Sequence, residues 1–324
     1  MTLKTPLTVR MPGVSPPPAV ASPEPPRVPP DQATDPAMSL PRPFLRDRAN
    51  LTLLTGPSAG QVFPLLDTET VLGRDATADI AFDDVAVSRR HARIVRQPTG
   101  EMTLADLDST NGTYVSGEAI TRRVLRSGDQ IQLGPSLLYR FAMTDATEER
   151  LQRQLFEASI RDPLTQAFNR KYLNERLAAE VAHARRHSTK LALLVLDLDD
   201  FKATNDRHGH LGGDAVLRQV AATVHALIRI EDVFARFGGE EFVVLTRGDG
   251  VHNTSQLAER LRRAIADTPA YFEGATLGVT VSIGVAELEE IQAPAGAEAL
   301  LERADTRLYR AKSAGRNRVS SSDG

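Results

Sequence analysis

The sequence predicts a multidomain chain, with an all-β sandwich followed by an α/β (α+β) domain that has a central, mostly antiparallel sheet. Three observations support this prediction. The 324 residues suffice for two domains that each bury a core. Short apolar stretches separated by turn residues run from about 50 to 142, which is typical of a sandwich. Helical and strand patterns then alternate over 163–319, which is typical of helices packed on a sheet.

The composition narrows the class of protein. Charged residues make up 25% of the chain and hydrophobic residues 41%, and the net charge of −3 gives no general attraction to nucleic acid or to an anionic membrane. The chain has no cysteine, which excludes disulfides and thiolate metal sites. No apolar run is long enough to cross a bilayer, and the N-terminus lacks the apolar core of a secretory signal. We therefore expect a cytoplasmic protein.

The chain divides into four segments, which are a tail over 1–43, the β-rich domain over 44–143, a linker helix over 144–161 and the α/β domain over 162–324. The tail holds 13 of the 20 prolines, so we expect it to be disordered. In the linker, Thr147 is the expected helix cap, and Leu151, Leu155 and Ala158 recur at helical spacing. So short a helix is unstable alone in water, and a partner chain is one candidate to cover it.

Two acidic groups in the α/β domain follow apolar strand patterns. The strand predicted over 191–198 ends in Asp197 and Asp199, which share a face because they are two residues apart. The hairpin predicted over 234–246 carries Glu240 and Glu241 after two glycines. Either acidic end alone is usually a solvated terminus, but two together repel unless a cation lies between them. With oxygen ligands only, Mg²⁺ or Mn²⁺ fits best, and Mg²⁺ usually brings phosphates with it.

Further polar residues point to a bound nucleotide. Asn205 and Asp214 flank the glycine-rich stretch 209–213, which we expect to open a helix over 213–229, and together they offer the donor and acceptor that a guanine edge needs. Lys312 and Arg316 end the last predicted helix, where two cations can hold a triphosphate. The alternatives are capping and turn roles for the first pair and complementation of the helix dipole for the second.

Residues 159–319 resemble a GGDEF domain, the diguanylate cyclase family, whose fold is similar to nucleotide-cyclase palm domains. The motifs that carry the resemblance are Asp162-Pro-Leu-Thr165, Asp197-Leu-Asp-Asp-Phe-Lys202, Asn205-Asp206, Gly209-His210, Gly213-Asp214, Gly238-Gly-Glu-Glu-Phe242 and Ala311-Lys312 with Gly315-Arg316-Asn317. The resemblance implies a homodimeric enzyme that condenses two GTP molecules into cyclic di-GMP and pyrophosphate. It assigns metal ligation to Asp197, Glu240 and the carbonyl of Leu198, guanine recognition to Asn205 and Asp214, phosphate binding to Lys202, Lys312 and Arg316, and activation of the ribose 3′-hydroxyl to Glu241.

Arg229 and Asp232 lie shortly before the hairpin signature. An Arg-x-x-Asp at this spacing is similar to the family's product-inhibition site, and a guanidinium can stack on guanine or bind its edge. A surface ion pair between the two side chains is the alternative. The resemblance implies that cyclic di-GMP is an inhibitor as well as the product.

The β-rich domain carries a second set of motifs on loops between predicted strands, namely Gly73-Arg74, Ser88-Arg89-Arg90-His91 and Ser109-Thr110-Asn111-Gly112. An arginine beside a hydroxyl can bind a phosphate dianion, although Asn111 before a glycine also fits an ordinary turn. In this order the motifs resemble an FHA domain, a family that binds phosphothreonine peptides. The resemblance assigns the phosphate to Arg74, Ser88 and Thr110 with Arg89 beside it, the peptide backbone to Asn111, and a bracing role between loops to His91. The implied ligand is another protein or the chain's own tail, at Thr2, Thr5, Thr8 or Thr34.

Two other classes of function stay open at this point. A catalytically silent domain could be a sensor that binds GTP or cyclic di-GMP, and the FHA domain could make the chain an adaptor for phosphorylated partners. The intact signature favours an active enzyme, because such sensors commonly lose the metal-binding carboxylates.

Overall fold

The computed structural model describes residues 46–75, 77–82 and 84–323. The predicted proline-rich tail and its threonines lie outside these residues. None of the helices in the described part of the chain is long and apolar enough to cross a lipid bilayer.

The N-terminal domain is built from short strands. In chain order these are β1 (Arg48–Leu53), β2 (Val62–Pro64), β3 (Glu69–Gly73), β4 (Ile80–Ala81), β5 (Ala92–Arg96), β6 (Met102–Asp106), β7 (Thr113–Val115), β8 (Glu118–Ile120), β9 (Arg122–Val124), β10 (Gln130–Leu133) and β11 (Leu137–Thr144). They form one sheet in the order β2-β1-β11-β10-β7-β8 and another in the order β4-β3-β5-β6-β9. Leu51 and Phe141 of the first sheet share a core with Leu72 and Ile94 of the second, so the predicted sandwich is confirmed.

The linker helix α1 covers Ala146–Ile160. The prediction that Thr147 caps it was wrong. The cap is Asp145, whose carboxylate accepts hydrogen bonds from the amides of Thr147 and Glu148 at 2.7 and 2.8 Å. A carboxylate also complements the positive end of the helix dipole, which a hydroxyl does not.

The C-terminal domain follows directly. Its elements are β12 (Phe168–Asn169), α2 (Arg170–His187), β13 (Leu191–Leu198), α3 (Phe201–Leu227), β14 (Val233–Arg236), β15 (Glu241–Arg247), α4 (Val251–Asp267), β16 (Ala270–Phe272), β17 (Ala275–Leu277), β18 (Val281–Glu287), a 3₁₀ turn (Leu288–Glu290), α5 (Ala297–Ser313) and β19 (Val319–Ser320). The main sheet has the order β12-β14-β15-β13-β18-β19, and only its outer strands β12 and β19 pair in parallel. A mostly antiparallel sheet was predicted and is confirmed.

Strand β13 lies in the middle of this sheet and is buried along its whole length. Leu194 and Leu196 face a core shared with α3 and α4, whereas Leu193 and Val195 face a core shared with α2 and α5. Both faces of the sheet are therefore covered, which explains why the strand is continuously apolar rather than alternating.

Helix α3 differs from the prediction. It begins at Phe201 rather than at residue 213, and Gly209 interrupts it with φ 71° and ψ 171°. The kink divides α3 into two helical parts, so the glycine-rich stretch does open the second part, although a few residues before residue 213. Only glycine adopts this backbone conformation without strain.

Candidate active site

The two acidic strand ends meet at one edge of the main sheet. In the antiparallel pairing of β13 with β15, Asp197 lies opposite Glu241. Because side chains alternate along a strand, Asp197 follows Val195, and Glu241 precedes Val243, on the face covered by α2 and α5. The structure thus brings together two carboxylates that are 44 residues apart in the sequence.

Glu240 lies in the turn between β14 and β15. Its backbone carbonyl accepts a hydrogen bond of 3.3 Å from the Leu198 amide, so the turn touches the end of β13. Arg236 holds this turn, because its guanidinium donates to the Gly239 carbonyl at 2.6 and 3.2 Å and to the Asp162 carboxylate at 3.1 and 3.2 Å. No motif of the sequence marks Arg236 as part of the site. Its partner Asp162 is 74 residues away, and no local pattern marks such a pair.

Lys312 supplies the positive charge of this cluster. Its Nζ lies 2.7 Å from Asp197 Oδ2. Helix α5 comes close enough because Gly284 on β18 has no side chain, and a Cβ there would overlap the carbonyl oxygen of Ala304. This close packing sets Lys312, about two turns further along α5, over the acidic edge of the sheet.

Burial and mutual repulsion raise the pKa of the three carboxyls. For Asp197 burial is the main cause, and Asp199 adds to it while Lys312 opposes it. Burial also raises the pKa of Glu240 and of Glu241, and the charge of Asp197 is the next cause for both. The single charge of Lys312 therefore does not neutralise the three carboxyls, so binding of a further cation at this edge is favoured.

The ligand set suits a hard divalent cation that brings ligands of its own. Asp197, Glu240 and the Leu198 carbonyl offer only oxygen atoms, which Mg²⁺ prefers. Within the described parts of the chain, no three His, Asp or Glu side chains are grouped so as to hold a metal by themselves. These residues therefore fit an ion that completes its coordination with phosphate oxygens and water.

Asp199 is engaged differently from Asp197. Its carboxylate accepts hydrogen bonds from the hydroxyls of Thr280 and Ser282, both at 2.7 Å, and from the Asn317 amide at 3.0 Å. Only 8% of Asp199 is exposed. It thus fastens β18 and the turn after α5 to the end of β13.

The predicted guanine ligands lie on either side of the kink in α3. The oxygen of the Asn205 carboxamide lies close to Gly213, where any Cβ would overlap it. Asp214 is half-exposed and 3.8 Å from Arg218, which is a loose ion pair. Lys202, in the first turn of α3, is exposed.

Arg316 lies in the turn after α5. Its Nε is 3.4 Å from Asp200 Oδ1, and the two side chains are 51% and 69% exposed. A surface pair of this kind contributes about 0–1 kcal/mol, so Arg316 can leave Asp200 for a phosphate at little cost.

Arg229 and Asp232 lie between α3 and β14. The Arg229 amide donates to the Asp232 carboxylate at 2.9 Å, but the Arg229 guanidinium pairs with Asp249 at 3.0 Å. The other carboxylate oxygen of Asp232 is buried, and burial raises the pKa of this carboxyl. The alternative of a surface ion pair between Arg229 and Asp232 is therefore not what the structure contains.

The predicted phosphate ligands of the N-terminal domain come together from three loops. A cavity of about 540 Å³ between these loops is lined by residues that include Arg74, Ser88, Arg89 and Thr110. The Thr110 amide donates to Ser88 Oγ at 3.0 Å, which joins two of the loops. Asn111 donates its side-chain amide to the Ala86 carbonyl at 2.8 Å.

His91 braces these loops from below and is fully buried. Its Nδ1 accepts a hydrogen bond from the Ser88 amide at 3.1 Å, and its Nε2 lies 3.1 Å from the Gly112 carbonyl. Because Nδ1 is an acceptor, the ring proton is on Nε2, which donates to Gly112. This agrees with the bracing role that the resemblance assigned.

Two families match this chain. Residues 159–318 match the family described as diguanylate cyclase, GGDEF domain, and residues 70–134 match the FHA domain. Both resemblances found in the sequence are thereby confirmed.

Individual relatives match the C-terminal part. The diguanylate cyclase DgcP of Pseudomonas aeruginosa is 48% identical over 163 residues, which are 50% of this chain and 24% of that protein. The diguanylate cyclase DgcS of Shewanella oneidensis is 38% identical over 186 residues, which are 57% of this chain and 59% of that protein. The chain therefore spans less than two thirds of the length of these relatives.

A solved structure of the coiled coil and GGDEF domain of DgcB from Caulobacter crescentus, in complex with c-di-GMP, is also similar. It has a TM-score of 0.51 and 31% identity, and the match covers 55% of this chain and 94% of that one.

Proposed function

Because this chain belongs to the GGDEF family of diguanylate cyclases, we propose that it condenses two GTP molecules into cyclic di-GMP and releases pyrophosphate. The observation that carries the proposal is the meeting of Asp197, Glu240 and Glu241 beside the Lys312 ammonium. The raised pKa values mean that these carboxyls, when ionised, lower the stability of the folded chain. Such perturbed groups concentrate where a site has to act on charged ligands.

In this proposal Asn205 and Asp214 recognise guanine. The Asn205 carboxamide oxygen lies against Gly213, and Asp214, the next residue, is half-exposed. The triphosphate is bound by Lys312 and Arg316 after α5 and by Lys202 at the start of α3. Lys312 contacts Asp197 at the end of β13, and Arg316 contacts Asp200 just after it, so both cations border the acidic edge.

Asp197, Glu240 and the Leu198 carbonyl would hold Mg²⁺ or Mn²⁺, which when bound neutralises charge on the leaving pyrophosphate and lowers the pKa of the attacking hydroxyl. Glu241 takes the proton of the ribose 3′-hydroxyl as that oxygen attacks the α-phosphate of the other GTP. Its raised pKa makes it a better base than an ordinary carboxylate. Lys312 keeps Asp197 ionised and oriented.

The reaction requires two domains that face each other, since each binds one GTP, and a two-fold homodimer is the simplest arrangement. A stripe on α1 supports this. Leu151 and Leu155 are 53% and 62% exposed, and the exposed Ala158 continues the stripe at helical spacing. A second copy of α1 in parallel would cover the stripe and bring both cyclase domains to the same end.

The FHA domain is proposed to bind a phosphothreonine peptide, from another protein or from the tail. Arg74, Ser88 and Thr110 would contact the phosphate with Arg89 beside it, and Asn111 the peptide backbone. The cavity that these residues line is open to solvent on loops joined by Ser88 and His91, so little reordering is needed for binding.

A series of hydrogen bonds leads from this cavity toward the linker helix. Asn111 donates to the Ala86 carbonyl at 2.8 Å, and the Ala86 amide donates to Asp84 at 2.8 Å. Asp84 accepts from the Ser136 hydroxyl, and the Ser136 carbonyl accepts from the Thr55 hydroxyl at 3.0 Å. Thr55 opens the loop between β1 and β2.

That loop touches α1. The ring of Phe156 packs on Gly60, where a Cβ would lie 3.1 Å from it, and Arg48 of β1 pairs with Glu149 of α1 at 3.4 Å. At 100° per residue, Phe156 and Glu149 lie about 140–160° around the helix from Leu151. The FHA domain therefore holds the side of α1 opposite the exposed stripe, and peptide binding would act on the pairing of the cyclase domains through this contact.

We further propose that Arg229 and Asp232 bind the product cyclic di-GMP and so limit the rate. The Arg229 guanidinium is 59% exposed, so it is accessible to a guanine, and the Arg229 amide holds Asp232 next to it.

The deciding experiment is an assay of the purified chain with GTP and Mg²⁺ for cyclic di-GMP and pyrophosphate. Glu240→Gln should abolish product, whereas Glu302→Gln, an exposed carboxylate on α5, should leave the rate unchanged. If wild type makes no product at any concentration, even as a forced dimer, the enzyme proposal is wrong and a sensor or adaptor remains.

A further inference from the structure

The turn after α5 has an unusual backbone. Gly315, Arg316 and Asn317 have φ values of 112°, 59° and 45°, so two successive residues with side chains adopt the left-handed conformation. Asparagine adopts this region more readily than most residues do, whereas arginine has no such preference. Such a conformation persists only where neighbouring groups hold it, and it concentrates at functional sites.

Several hydrogen bonds hold this turn, including one of 3.0 Å from Nε of Arg318 to the Arg316 carbonyl. Three others tie it to its surroundings. The Arg316 amide donates to the Ala311 carbonyl at 3.1 Å, which closes the helix. The Asn317 amide donates to Asp199 at 3.0 Å, and the Asn317 side-chain oxygen accepts from Nη1 of Arg262 at 2.7 Å. The last bond is the only one of the three that reaches the turn from α4.

Arg262 is itself fixed. Its Nε and Nη2 donate to the two oxygens of Glu259 at 2.8 and 2.7 Å, and its side chain is only 18% exposed. Hydrogen bonds from Arg262 and Arg263 lower the pKa of Glu259 to about 2, so this carboxylate is ionised at any working pH. A planar guanidinium held at Nε and Nη2 has the directions of its three remaining N–H donors fixed, including those on Nη1. One of these Nη1 donors is the one that meets Asn317.

We infer that Arg262 is a positioning residue for Arg316, holding Asn317 so that the left-handed turn keeps the Arg316 guanidinium directed at the triphosphate. The inference deepens the proposed function and rests on it. Without Arg262, Asn317 keeps its bond to Asp199 but loses its bond to α4, and the strained conformation of Arg316 loses support. The loss should appear as weaker GTP binding rather than as slower chemistry, because Arg262 touches none of the reacting groups.

The test compares Arg262→Met with Arg263→Met in the full chain. Arg263 is the matched control, since it also donates to Glu259, at 2.8 Å, but is 69% exposed and has no bond to the turn. Binding is measured by calorimetry with 3′-deoxy-GTP and Mg²⁺, because a nucleotide without the attacking hydroxyl binds but does not react. Arg262→Met should weaken binding about five- to tenfold, and Arg263→Met less than about twofold.

Two further readouts separate positioning from general destabilisation. In steady state, Arg262→Met should raise KM for GTP with kcat retained to within about twofold. Amide exchange at residues 315–317 should be faster in Arg262→Met than in Arg263→Met. Asn317→Ala, an exposed substitution that leaves the Glu259 pair intact, should reproduce both effects, and the double variant should be no worse than the worse single one.

The inference is overturned if Arg262→Met and Asn317→Ala bind 3′-deoxy-GTP as Arg263→Met does, or if amide exchange in the turn is the same in all three. If wild type binds 3′-deoxy-GTP but forms no cyclic di-GMP, the proposed function fails, while binding and exchange still decide the role of Arg262.

Discussion

Replacing Glu241 by glutamine should make the metal-free chain more stable at neutral to mildly alkaline pH, although it should abolish turnover. Glu241 lies directly opposite Asp197 in the β13–β15 pair, and its pKa is raised by burial and then by the charge of Asp197. Glutamine keeps the size of the side chain and removes one of two facing negative charges.

The size of the effect follows from this geometry. Like charges directly opposite on neighbouring strands destabilise a sheet by about 0.2–1 kcal/mol. Lys312, 2.7 Å from Asp197, already offsets part of the repulsion, so a value in the middle of that range is expected. For a domain of this size, such a gain raises Tm by roughly 1–3 °C.

The pH dependence has a definite sign. A folded-state pKa above the unfolded value means that the folded chain binds the proton first, so the stability of wild type increases as pH falls through this window. The advantage of Glu241→Gln should therefore be complete above the raised pKa. It should shrink as the pH approaches about 4, the ordinary carboxyl range.

The assay is scanning calorimetry of both chains in a chelator at several pH values, with Glu302→Gln as the control for an exposed carboxylate. The reasoning is refuted if Glu241→Gln melts at or below the wild-type temperature at pH 8, or if the difference does not change on acidification. Addition of Mg²⁺ with GTP should shrink the difference, because the added positive charge relieves more repulsion in the wild-type cluster, which has one carboxylate more.

Three further predictions concern the surroundings of the site. Arg236→Met should lower the free energy of unfolding by about 2 kcal/mol in urea titrations and reduce kcat, because Asp162 and the Gly239 turn lose their common partner; unchanged kcat would contradict the support of the turn. Arg229→Ala should leave the initial rate unchanged in progress curves but relieve inhibition as cyclic di-GMP accumulates, and persistent inhibition would disprove the product site. Phe156→Ala should leave the binding of a tail peptide phosphorylated at Thr34 intact in fluorescence titrations while removing its effect on the cyclase rate; an effect that persists would contradict the Gly60 contact as the route of control.

The sequence predicts the elements of this fold that depend on local patterns. The strand over 191–198 matches β13 because a strand buried on both faces is continuously apolar and ends where the charges begin. The helix predicted over 213–229 corresponds to the part of α3 after the kink at Gly209, whereas the part before the kink was missed. Two adjacent glycines favour a loop locally, but Gly213 lies in the helix because the Asn205 side chain packs on it. The small hairpin β16–β17 was missed, since it has only three residues in each strand.

The same difference between local patterns and long-range contacts applies to the residues of the site. Motifs identify Asp197, Glu240 and Lys312, but their mutual distances depend on strand register and on the packing of α5. Supporting residues such as Arg236 and Arg262 act across 74 and 55 residues of sequence, and an arginine on a strand or helix surface carries no local mark of such a partner. Only the three-dimensional structure reveals them.

The FHA domain contacts one face of α1, and the exposed stripe lies on the opposite face. This arrangement restricts the length of the helix that can join the two domains. A helix turns 100° per residue, so a single inserted residue between Phe156 and the cyclase domain would rotate that domain by more than a quarter turn relative to the FHA domain. An insertion of seven residues returns the cyclase domain to within about 20° of its original orientation. Insertions of two or five residues turn its catalytic edge away from that of the partner domain. Only certain lengths of this helix are therefore compatible with a productive pair. A different sensor domain can replace the FHA domain only if the new linker keeps the same rotational orientation of the cyclase domain.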